Sequence, residues 1–202
     1  MTSANTEMAV YCFDVIRAEL NREKEPPVPR EIPNNVKLPL FVTWKKGERH
    51  DLRGCIGTFA EDLRLADGLK EYAKTSAFQD SRFKPISKDE VPSLQCGVSL
   101  LVNFEPIADC LDWQVGTHGV RINFPDPHTR RGRSAVFLPE VAREQGWNGI
   151  ETIDHLIRKS GYNGPIDDSL RASLRVIRFQ SSKITLDYKD YVHYKQAHGQ
   201  AN

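Results

Sequence analysis

Between Cys96 and Phe104 an apolar series, Cys96, Val98, Leu100, Val102 and Phe104, alternates with Gly97, Ser99, Leu101 and Asn103. A period of two puts that series on one side of an extended chain, so a half-buried strand is expected here. The segments before it mix two periods. "TEMAVYCFDVIRAEL" spaces Met8, Ala9, Cys12, Phe13, Ile16 and Leu20 at helical intervals, with Asn5 or Thr6 as the cap. "LRLADGLKEYAKTSAF" does the same through Leu65, Leu69, Tyr72 or Ala73, and Ser76 or Ala77. "LPLFVTW", "KKGERH" and "DLRGCIGTF" read as strand, turn and returning strand. Helices and strands are mixed without a strict βαβ rhythm. The expected class is α+β, a largely antiparallel mixed sheet flanked by helices.

The remaining segments fill in that plan. "PPVPREIPNN" is a proline-stiffened loop. Ser87 to Glu90 has capping-box spacing and predicts a short turn that stops near Pro92. "GVRINF" and "SAVFL" are short strands on either side of the polar loop "PDPHTRRGR". Pro139 suits the first position of a helix through "EVAREQ". "IETIDHLIRKSG" predicts a helix with Ile150, Ile153, Leu156 and Ile157 inward and Gly161 closing it. "SLRVIRFQ" and "KITLDY" supply two late strands, and Tyr188, Tyr191 and Tyr194 dock the tail onto the domain. The whole chain, 1–202, is expected to form a single domain with its core at about 6–187.

Composition narrows the setting. With 39% hydrophobic and 27% charged residues and a formal charge of +1, the 202-residue chain has no bulk attraction to nucleic acid or anionic membrane. No apolar run approaches the roughly 20 residues of a membrane span. The N-terminus has neither signal-peptide nor transit-peptide character. Cys12, Cys55, Cys96 and Cys110 are widely spaced, without a C-x-x-C pair, so free thiols in cytosol or nucleus are expected. Metal and nucleotide signatures are absent from the sequence, and no cofactor is expected.

"LRGCIGTF", Leu52 to Phe59, concentrates the chemistry. In an extended chain Leu52, Gly54, Ile56 and Thr58 share one face, and Arg53, Cys55, Gly57 and Phe59 the other. Gly57 would then leave room beside the sulfur for a ligand or another packed segment. Arg53, about 6.6 Å along the strand, is the near charge able to favour a thiolate. The following helix begins about 23 Å away, beyond the reach of its dipole. Cys55 is thus either a nucleophile or a small packed hydrophobe.

Other candidates lie apart in sequence. His118, between Gly116 and Gly119 in "VGTHGV", would serve as the base for Cys55 or face solvent. Arg82 in "DSRFKP" would hold a carboxylate or phosphate, or pair with Asp80 or Asp62. Glu140 and Glu144 share a helix face, with Trp147 as a core or lid residue. The cluster Arg130, Arg131 and Arg133 lacks an aromatic platform and an overall basic charge, so nucleic acid is set aside as a partner. Two functions follow. In the first, a cleft around "LRGCIG" binds or modifies a small anionic molecule: Cys55 and His118 act as catalytic groups, and Arg53, Gly54, Gly57, Arg82 and Glu140 form the binding site. In the second, the chain is a non-catalytic adaptor for a protein partner, and "LRGCIG" maintains the fold.

Taken in order, "LRGCIGTF", "SAFQDSRFKP", "VSLLVNFEPI", "GTHGVRI" and "AVFLPEVAREQGW" resemble the AMMECR family, named for the Alport syndrome, midface hypoplasia and elliptocytosis chromosomal region. The resemblance runs from about the first helix to the last strand. It implies an α+β domain with a larger and a smaller lobe in a cytosolic or nuclear protein, and it supplies no reaction. It also implies a link to Memo-type proteins, which some family members are encoded beside or fused to. Two departures stand out. Ser81 replaces the proline usual in Asp-Pro-Arg-Phe, which loosens that loop without removing its charges. Glu140 stands where glutamine is common and adds a carboxylate.

Overall fold

Asn5 starts the first helix by accepting the Met8 N–H on its side chain at 3.1 Å. In the computed structural model, which describes residues 2–199, helix α1 spans Thr6–Asn21 and ends at Arg22, whose φ of 57° is left-handed. Strands β1 (Leu40–Lys46) and β2 (Asp51–Thr58) pair antiparallel around the Gly47 turn. Helix α2 covers Leu65–Phe78. A 3-10 helix, Lys88–Ser93, is opened by the full Ser87–Glu90 capping box and contains Pro92. Then follow β3 (Leu94–Ile107), β4 (Gly119–Pro125), β5 (Gly132–Phe137), α3 (Pro139–Gln145), α4 (Gly149–Lys159), α5 (Asp168–Ala172), β6 (Arg175–Asp187) and α6 (Tyr188–Gly199). The six strands join in the order β2-β1-β3-β6-β4-β5, an antiparallel sheet with flanking helices. The class is α+β.

The chain divides into two compact units, one running to Leu100 and resuming at Ser182, the other Leu101–Ser181. In the first, Leu40, Val42 and Trp44 of β1 are fully buried. Trp44 stands edge-on to Phe13 of α1, ring centroids 5.1 Å apart, and donates its indole N–H to the Ala73 carbonyl of α2 at 3.1 Å. Helix α6 belongs to this unit. Tyr191 is 1% exposed, its ring against Phe13, and its hydroxyl donates to Asp14 while accepting from Arg17, both at 2.6 Å. In the second unit Ile153, Leu156 and Ile157 of α4 pack with Val120, Ile122, Phe124 and Ala135 of β4 and β5. None of the helices among the described residues is long and apolar enough to cross a membrane.

Four local expectations change. The alternation in β3 ends at Leu100 and Leu101, which are both buried, and Asn103 sits at φ 56°, so the strand turns its faces there. The two late strands are one. β6 lies between β3 and β4 and runs unbroken from Arg175 to Asp187, through polar Ser181–Lys183. Helix α5 was hidden in "DDSLRA", where the Asp167 side chain accepts the Leu170 N–H at 2.8 Å. Ile150 points outward at 48% exposure, because α4 begins at Gly149 and its first turn lies beyond the packed stripe.

Candidate functional site

Cys55 lies in β2, at the edge of the sheet and opposite Thr43, whose hydroxyl stands 3.1 Å from its sulfur. The strand is not uniformly alternating. Trp44 pairs with Gly54 and Lys45 with Leu52, which leaves Arg53 as the extra residue of a bulge. The guanidinium of Arg53 is engaged elsewhere: Nε and one Nη donate to the two carboxylate oxygens of Glu90 at 3.0 and 3.1 Å. Glu90 also accepts from Lys46 at 2.8 Å and from the Ser87 N–H at 2.9 Å. These bonds, led by those from Arg53, hold the Glu90 carboxyl down to about 2. The thiolate-favouring charge expected beside Cys55 is therefore balanced by a carboxylate.

The glycines of the motif are closed as well. A Cβ on Gly54 would drive into the Ser76 carbonyl of α2, so its absence lets helix and strand meet. A Cβ on Gly57 would meet the Leu40 carbonyl and the Phe41 ring, and Phe41 fills the room expected beside the sulfur. Phe41 in turn packs edge-on against Phe59, centroids 5.2 Å apart.

Asp80 and Arg82 seal the outer edge of β2. Asp80 Oδ2 accepts the Cys55 N–H at 2.9 Å, and Arg82 donates to the Cys55 carbonyl at 3.1 Å. The two side chains bind each other through Arg82 Nε and Nη2 at 3.0 and 2.7 Å. Asp80 is buried, and the hydrogen bonds from Arg82 hold its carboxyl well below the usual range, helped by the Cys55 and Arg82 backbone N–H groups. Phe83 completes the group, with the Arg53 and Arg82 guanidinium carbons 6.0 and 5.5 Å from its ring centroid.

Arg53, Gly54, Cys55, Gly57 and Arg82 are thus brought together in the first unit. His118 and Glu140 belong to the second. His118 Nδ1 accepts the Gln114 N–H at 3.0 Å, and burial, with the Arg178 charge, lowers its basicity. Glu140 occupies the first turn of α3. Among the described residues, the hydrogen-bond partner of the Cys55 thiol is a threonine. Trp147 stacks on His155 at 3.8 Å between centroids. Arg133 is bound to the buried Asp126 at 2.8 and 2.9 Å, so one member of the arginine cluster holds its own loop. Sequence reasoning gave Asp80 and Glu90 only local roles. Asp80 lies 25 positions from Cys55 and Glu90 lies 37 from Arg53, and the one signal in reach was an acid set near a basic residue in "DSRF" and "SKDE".

The AMMECR1 family profile matches residues 9–184. An uncharacterised Arabidopsis thaliana protein is 50% identical over 200 residues, covering 98% of this chain and 92% of that one. An uncharacterised Schizosaccharomyces pombe protein is 42% identical over 189 residues, covering 93% and 95%. The crystal structure of an uncharacterised Pyrococcus horikoshii protein superposes with a TM-score of 0.70 at 26% identity, covering 90% of each chain.

Proposed function

This chain belongs to the AMMECR1 family, and we propose that it is a non-catalytic binding module for a protein partner, with the "LRGCIG" strand serving the fold. One observation carries the reading: both arginines suited to an anionic substrate are engaged, Arg53 by Glu90 and Arg82 by Asp80. A guanidinium whose charge is already matched by a contacting carboxylate attracts an anionic substrate less than a free one does. The docking face is assigned to the second unit, where exposed Leu111 lies beside Gly149 and next to exposed Ile150. The partner class is the Memo-type protein implied by the family resemblance, met in cytosol or nucleus.

A second reading keeps Cys55 as a nucleophile toward a small anionic molecule. It is favoured by Cys55 being only half-buried on the strand. Co-precipitation with a purified Memo-type protein separates the two. The adaptor reading expects stoichiometric capture that Leu111→Asp with Ile150→Asp abolishes and Cys55→Ser leaves intact. Capture that survives the double substitution, or no capture at all, rejects it.

A further inference from the structure

A cleft of about 600 Å³ in the first unit lies between the C-terminal half of α1, the proline loop and α6. Its volume falls within the roughly 300–1,000 Å³ of small-ligand sites. Pro26, Pro27 and Pro29 form one wall, and their fixed φ makes it stiff before any ligand arrives.

Its charges are not self-cancelling. Asp14 is fully occupied, accepting from the Tyr191 hydroxyl at 2.6 Å and from Lys195 at 2.9 Å. Arg17 spends one N–H on the Tyr191 oxygen and keeps its other donors. Lys24 and Arg30, both exposed, line the cleft with no hydrogen-bond or ion-pair partner among the described residues. Glu23 is the one lining carboxylate left without a partner among those residues. Three cations therefore stand against one anion.

Arg17, Lys24 and Arg30 supply what a phosphate group takes, Arg17 by its planar fork and Lys24 as a point charge.

We propose that this cleft binds a small phosphate monoester, its phosphate held by Arg17, Lys24 and Arg30 and its organic part lying along the proline wall. The site is separate from Cys55 and from the Leu111–Ile150 face, so its failure leaves the adaptor reading standing.

Isothermal titration of the full chain tests it with glycerol 3-phosphate, glucose 6-phosphate and adenosine monophosphate, and with inorganic phosphate and glucose as controls. At least one monoester is expected to saturate with a dissociation constant of about 1 mM or lower, about tenfold tighter than either control. Lys24→Glu with Arg30→Glu, which touches no folded partner, should weaken it about tenfold or more at unchanged melting temperature. The proposal is overturned if no monoester saturates, if inorganic phosphate binds equally well, or if the double substitution leaves binding unchanged.

Discussion

Asp80 and Cys55 meet at the sheet edge, carboxylate oxygen to backbone N–H at 2.9 Å, where another strand would otherwise attach. Arg82 takes the carbonyl of the same residue, so both outward polar groups of Cys55 are occupied by side chains. Protected edges of this kind resist intermolecular pairing. Replacing Asp80 by Ala is expected to cost about 2–3 kcal/mol, since it deletes charge-assisted bonds and leaves a partly buried N–H unmade. Urea unfolding measures it; a loss under about 1 kcal/mol would make the contact incidental.

Glu90 gives a prediction in pH. Its carboxyl falls from an ordinary 4.5 to about 2 in the folded chain, chiefly through Arg53. A depressed carboxylate contributes stability that is complete above the unfolded value and fades as pH falls through the folded one. The stability advantage of the native chain over Glu90→Gln should thus be full at neutral pH and shrink from about 4.5 toward about 2. Melting curves of both proteins across that window decide it. A constant difference would mean that Glu90 acts by shape alone.

Gly54 is the sharpest steric test. Alanine there forces the Ser76 carbonyl away from the strand, at a cost of about 3 kcal/mol or outright loss of folding. Gly132, with nothing near its would-be Cβ, should accept alanine within about 0.5 kcal/mol. Equal effects at the two positions would remove Gly54 from its place beneath α2.

The four thiols should separate by accessibility. Cys12 and Cys96 are fully buried, and Cys96 is pushed far up by that burial. Cys110 is raised more modestly, again by burial first. Iodoacetamide on the native chain should therefore label Cys55 and Cys110 but spare Cys12 and Cys96 until denaturant is added, as peptide mass spectrometry would record. Labelling at Cys110 should quicken as pH rises. Native labelling of Cys96 would contradict the packing of β3.

Local chemistry explains what the sequence made legible. The Asn5 cap, the Ser87–Glu90 box and Pro139 at the start of α3 each act within one helical turn. The β1–β2 hairpin is nearly as local. The bulge at Arg53 and the closure of Gly57 by Phe41 depend on which residue faces which across a ladder, and alternation along one strand carries no such information. The site suffered most for this reason. Arg53, Cys55 and Arg82 were found as residues, but the acids that neutralise the arginines come from other elements.

Tyr191 gives the family boundary a physical meaning. The family profile stops at residue 184, yet a tyrosine seven positions further on is sunk against Phe13, its hydroxyl held between Asp14 and Arg17. A chain trimmed to the family limits would uncover an aromatic face on α1 and strand two opposite charges that now share one hydroxyl. The span matched by the family profile and the span of chain that packs around α1 are different lengths in this protein.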